Sequence, residues 1–79
     1  MYYVYLLRNK KTQELYYGYT GDLERRVAEH QANGNWQVVY YEAYHAEEDA
    51  RGRERSLKRY GQAKTHLKKR LRQSLTRGN

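Results

Sequence analysis

Two tyrosine-rich runs lie close together near the start of the chain, Tyr2-Tyr3-Val4-Tyr5-Leu6-Leu7-Arg8 and Leu15-Tyr16-Tyr17-Gly18-Tyr19, separated by the polar stretch Asn9 to Glu14. Aromatic and branched residues with no helical period read as strands. Two such runs around a short polar loop pair most simply as an antiparallel hairpin. Tyr3 and Tyr5 alternate on the first run and Tyr17 and Tyr19 on the second, with Tyr16 in the opposite phase. Gly18 predicts a close backbone approach or a bulge. Ten tyrosines and no phenylalanine mean that the core depends on rings whose hydroxyls also need partners.

Thr20-Gly21-Asp22 signals a helix start, with Thr20 or Asp22 able to accept from the free N–H groups and Glu24 favourable in the first turn. This first helix is expected to run to about Gln31, with Leu23, Val27, Arg26 and His30 on one broad face, and to end at Asn33-Gly34-Asn35. Trp36 to Tyr44 reads as a third strand. Glu47 to about Tyr60 reads as a second helix, acids first and bases last, with Ala50, Glu54, Leu57 and Gly61 on one stripe. A last helix is expected from Thr65 to about Leu75, carrying Leu67, Leu71 and Leu75 at intervals of four. The predicted fold is α+β, a small three-stranded antiparallel sheet flanked by helices in the order β-β-α-β-α-α. Residues 1–75 are expected to form one domain and residues 76–79 a frayed tail.

A chain of 79 residues has room for one domain. It has no cysteine for a disulfide scaffold and no apolar run approaching the ~20 residues of a membrane span. No signal-peptide pattern follows Met1, so the expectation is a cytoplasmic protein without a membrane partner. Charge is strongly segregated. Residues 1–50 carry 5 Lys+Arg against 8 Asp+Glu, a balance of −3, and residues 51–79 carry 11 against 1, a balance of +10. Such a basic block attracts polyanions, nucleic acid above all, because each neutralised phosphate releases condensed counterions. The single acid of that block, Glu54, lies on the apolar stripe of its helix. A part-buried carboxylate there calls for a partner cation or a metal.

At this point the chain resembles a family. Tyr3-Val4-Tyr5 is similar to the first signature of the GIY-YIG nucleases and Tyr16-Tyr17-Gly18 to the second, and the segment from Tyr16 through His30 is similar throughout to that family's strand-into-helix region. The resemblance covers nearly the whole chain and is closest to the short stand-alone bacterial members. It implies that Arg26 is the catalytic arginine, His30 the histidine one turn later, and Glu54, within Arg53-Glu54-Arg55-Ser56-Leu57-Lys58, the metal-binding glutamate. A signature tyrosine, Tyr16 or Tyr5, is implied as general base, with the other as its hydrogen-bonded partner. Two departures stand out. Tyr3 replaces the glycine of the first signature, and no residue matches the asparagine that many members carry near the end of the domain, since Asn79 is terminal.

The chemistry agrees with these assignments. Cleaving a phosphodiester needs an activated water, neutralisation of charge growing on the phosphoryl oxygens and help for the departing 3′ oxygen. Glu54 suits one Mg²⁺ or Mn²⁺ with water and substrate oxygens completing the shell, a sparse site that binds the ion weakly without substrate. Arg26 suits a non-bridging oxygen through its planar fork, and His30 a hydrogen bond or proton transfer nearby. Lys58, Arg59, Lys64, Lys68, Lys69, Arg70 and Arg72 are expected to bind phosphates, which positions nucleic acid without reading its sequence. The expected function is therefore a metal-dependent DNA endonuclease, sequence-independent or structure-selective, with DNA repair or recombination as its setting and RNA as a second polyanion of the same kind. The alternatives are a catalytically weak nucleic-acid-binding module and an interaction subunit whose tyrosine-rich surface docks on a protein partner.

Overall fold

The computed structural model describes residues 1–77 and joins the two tyrosine-rich runs as neighbouring strands, β1 (Tyr2–Asn9) and β2 (Leu15–Thr20). Their antiparallel register sets Tyr5 opposite Gly18, Leu6 opposite Tyr17 and Leu7 opposite Tyr16. The connection closes as an Asx turn. Asn9 Oδ1 accepts from the N–H groups of Lys11 at 2.9 Å and Thr12 at 3.0 Å, while Gln13 takes up the left-handed φ of 67°.

Helix α1 (Leu23–Ala32) starts at Asp22, whose carboxylate accepts from the Arg25 N–H at 3.2 Å; Thr20 Oγ1 accepts in turn from the Asp22 N–H at 3.0 Å. Both expected capping residues are thus used, Asp22 for the helix and Thr20 for the turn that leads into it. Strand β3 (Trp36–Tyr44) pairs antiparallel with the free side of β1, giving the sheet order β2-β1-β3. A bulge falls between Leu6 and Leu7, where Tyr40 and Val38 are their partners and Val39 is the extra residue.

Helices α2 (Glu47–Arg59), α3 (Gly61–Arg70) and α4 (Arg72–Arg77) complete the chain. The observed order is therefore β-β-α-β-α-α-α, one helix more than expected. Two local effects account for this. Thr65 does not start a helix: α3 begins directly after the extended Tyr60, and Thr65 lies inside it, its hydroxyl donating to the Gly61 carbonyl one turn back at 2.9 Å. The helix then breaks at Leu71 (φ −102°, ψ 18°), and the bend brings both Leu71 and Leu75 against the sheet. Arg8, buried in β1, donates to the Leu75 carbonyl and ties α4 down. Thr76 and Arg77, expected in a frayed tail, belong to α4; Gly78 and Asn79 lie outside the described residues.

Alternation along the strands gives the sheet two different faces. Val4, Leu6 and Tyr17 form the core with Ala50 and Leu57 of α2 and Leu67 of α3, ringed by Tyr2, Tyr19, Tyr40 and Tyr44. The register sends Tyr5 and Leu7 to the opposite face together with Tyr16 and Gly18. Tyr16 therefore shares a face with Tyr5, and Tyr17 and Tyr19 do not.

Candidate active site

The site grows from the middle of β1. Tyr5 is 1% exposed, and its hydroxyl lies 3.3 Å from Nε2 of His30 in the last turn of α1. Gly18 faces it on β2, and a Cβ at that position would collide with the Tyr5 ring. The close approach expected at Gly18 is thus an aromatic ring laid across the backbone. Burial pushes the Tyr5 phenol up to about 12, helped by the neighbouring Tyr16 phenol and Glu54, while Arg26 pulls the other way. One hydroxyl therefore senses Tyr16, Arg26, His30 and Glu54 together, residues delivered by β2, α1 and α2.

Tyr16 is the accessible member, 39% exposed. Its ring centroid lies 4.9 Å from that of His30, 6.3 Å from Tyr5 and 6.2 Å from Trp36, and the ammonium of Lys58 stands 5.9 Å from its centre. Arg26, one turn before His30, is exposed and ion-paired to Glu29 at 3.5 Å. It lines a cleft of about 310 Å³ with Thr20, Gly21, Asp22, Arg25 and Glu29. Glu54 is half-buried on α2 and pairs with Lys58 at 3.3 Å.

Among the described residues no group of three or more histidine, cysteine or acidic side chains is arranged to hold a metal. Glu54 is nonetheless a suitable hard-oxygen donor. Its ion pair with Lys58 engages one carboxylate oxygen with an exposed lysine, and a carboxylate has about four lone-pair positions. One cation completed by water and substrate oxygens fits that donor; an all-protein cage does not.

The seven basic residues divide. Lys58 reaches the site. The Lys64 ammonium stands 5.8 Å from the centre of the Tyr17 ring, on the core face, and Lys68, Lys69, Arg70 and Arg72 are exposed on the helical layer across the sheet from α1. Arg59 is exposed at the end of α2.

Two features escaped sequence reasoning. Trp36 abuts Tyr16 because β3 starts beside the end of β1, and the only hint was an aromatic residue directly after a Gly-Asn turn. The other is the Glu42 cluster. Its carboxylate accepts from the hydroxyls of Tyr40, at 2.5 Å, and of Tyr44, and pairs with Arg53 at 3.0 Å. Burial alone would push the Glu42 carboxyl up, but the bonds from Arg53, Tyr40 and Tyr44 outweigh it and hold it below its ordinary value. Burial and the Glu42 bond push Tyr40 and Tyr44 up to about 12. Because Arg53 immediately precedes Glu54, this cluster fastens the stretch of α2 that carries Glu54 to β3.

No curated protein and no solved structure matches the chain. A family model does: the GIY-YIG catalytic domain matches residues 1–69, a span that contains Tyr5, Tyr16, Arg26, His30 and Glu54. With the match covering all three strands, α1, α2 and most of α3, the chain belongs to the GIY-YIG family of nucleases.

Proposed function

We propose that the protein is a divalent-metal-dependent endonuclease that hydrolyses DNA phosphodiester bonds without reading sequence, acting on structured DNA in repair or recombination in the cytoplasm. The observation that carries this reading is the convergence of Tyr16, Arg26, His30 and Glu54 on the Tyr5 hydroxyl.

Two tyrosines share the site and their surroundings divide the work. Tyr5, buried and held at about 12, keeps its proton at neutral pH and serves as a fixed hydrogen-bonding partner of His30. Tyr16, exposed beside the Lys58 ammonium, is the general base: with its own proton released to solvent, the phenolate oxygen takes the proton from the attacking water. Arg26 offers its planar fork to a non-bridging phosphate oxygen and neutralises charge that grows there. Its partner Glu29 is on the same exposed helix face, so the arginine is readily drawn to a phosphate. Glu54 would hold one Mg²⁺ or Mn²⁺, which when bound supplies Lewis-acid polarisation of the phosphoryl group and stabilises the departing 3′ oxygen. Lys58 and the bases of α3 and α4 contact phosphates, so selectivity among DNAs comes from their shape or from a partner protein.

The test is cleavage of branched, flapped, single-stranded and duplex DNAs with Mg²⁺ or Mn²⁺, comparing wild type with Glu54→Ala. Metal-dependent products that disappear in the variant, while DNA binding persists, are the expected result. Equal cutting by both proteins overturns the role of Glu54. Binding by both with cleavage by neither overturns the enzyme reading.

A further inference from the structure

Lys58 stands between the two groups on which the proposed chemistry depends. Its ammonium is 3.3 Å from Oε2 of Glu54, one helical turn earlier, and 5.9 Å from the centre of the Tyr16 ring. The lysine side chain is 53% exposed and the glutamate side chain 24%. A helical pair of this kind, with one end in solvent, is weak and readily exchanged. Two other bases of α2 are engaged elsewhere: Arg53 pairs with Glu42, and Arg51 lies 6.0 Å from the centre of the Tyr19 ring.

We propose that Lys58 is a displaceable counter-ion, one that occupies Glu54 in the absence of metal, competes there with the divalent ion, and passes to a DNA phosphate when substrate binds. The proposal rests on the reading of Glu54 as the metal ligand. Its physical basis is charge crowding. An ammonium and a divalent ion on one carboxylate would place three positive charges within a few ångströms, so either cation weakens the other. The four-carbon stem of lysine lets the ammonium swing away while its backbone stays in α2, and a phosphate is the natural destination. DNA then raises metal affinity by removing the competitor, and metal raises DNA affinity by the same factor, since coupling between two binding events is reciprocal. In this way an ion is held firmly only where there is a phosphate to cleave.

Mn²⁺ binding to the DNA-free protein, read as free Mn²⁺ by electron paramagnetic resonance, tests the competition in wild type, Lys58→Met, Lys58→Arg and Glu54→Gln. Lys58→Met is expected to bind Mn²⁺ about three- to tenfold more tightly than wild type, Lys58→Arg about as wild type, and Glu54→Gln to lose the site. Unchanged or weaker binding by Lys58→Met, with the site still lost in Glu54→Gln, overturns the proposal and leaves Glu54 as the ligand. Full binding by Glu54→Gln overturns the reading of Glu54 and the proposal with it. A second measurement needs no metal and decides the matter where Mn²⁺ alone binds too weakly to titrate. In EDTA, Glu54→Gln is expected to tighten binding of a duplex oligonucleotide about two- to fivefold by freeing the ammonium, and to do so markedly less in the Lys58→Met background. Equal gains in the two backgrounds overturn the proposal.

Discussion

The end of the Tyr5 ring fills the space that a side chain on Gly18 would need, so the two residues facing each other across β1 and β2 form one packing unit. This glycine is required for room, since no glycine among the described residues has positive φ. Gly18→Ala is expected to destabilise the protein by about 1–3 kcal/mol through overpacking against the buried Tyr5 ring, and to lower cleavage by displacing the Tyr5 hydroxyl. Denaturant midpoints and single-turnover rates measured on the same preparation check both effects.

Tyr16→Phe is expected to lower the cleavage rate by about 10²–10⁴-fold with DNA affinity retained, the range typical of a lost general base. Tyr5→Phe also lowers the rate, but its pH profile between pH 7 and 9 keeps the wild-type shape, because Tyr5 titrates only near 12. Single-turnover profiles of the two variants distinguish the base from its partner.

The raised phenols also set the alkaline limit of the fold. Tyr5, Tyr40 and Tyr44 ionise at about 12 in the folded protein against an ordinary value of 10.0. The native state therefore holds these protons more tightly than the unfolded chain. Their contribution is complete below pH 10 and is lost as the pH rises from 10 toward 12. The denaturant midpoint should fall across that window.

Glu42 sets the acid limit with the opposite sign. Its carboxyl is held below the ordinary 4.5, so the stability it contributes is present above that value and lost as the pH falls through its folded pKa. Glu42→Gln is expected to cost about 2–4 kcal/mol at neutral pH, because it leaves Arg53 part-buried without its charge partner. The variant should also show a flatter acid limb when denaturant midpoints are followed from pH 7 to pH 3.

Lys68 and Lys69 are exposed in α3. Replacing both with alanine should weaken binding of unrelated DNA sequences equally and reduce the slope of log affinity against log salt by about 2, with the single-turnover rate on saturating protein unchanged. Titrations at several salt concentrations, on two oligonucleotides of different sequence, provide the check.

Local signals were the readable ones. The hairpin, the Asp22 cap, the β3 boundaries and the acid-to-base order of α2 each follow from residues within a few positions of one another. Spatial partners were less legible. Only the register, with Tyr5 opposite Gly18, explains why Tyr16 rather than Tyr17 joins the site, and register depends on how the turn closes at Asn9. The break at Leu71 is likewise set by the need of Leu71 and Leu75 to reach the sheet, which a four-residue spacing does not convey. The Glu42 cluster has no local signature, because its three partners come from β3 itself and, eleven positions later, from α2.

β1 leads the strands in sequence and is the middle one in space. A chain emerging from the ribosome exposes Tyr5 early, yet that tyrosine gains both its cross-strand neighbours, Gly18 and Tyr41, only after Tyr41 has been made, and Glu54 later still. A nascent chain that ends before β3 and α2 therefore carries Tyr5 and Tyr16 without the strand and helix that surround them, so the topology places assembly of the site after synthesis of most of the chain.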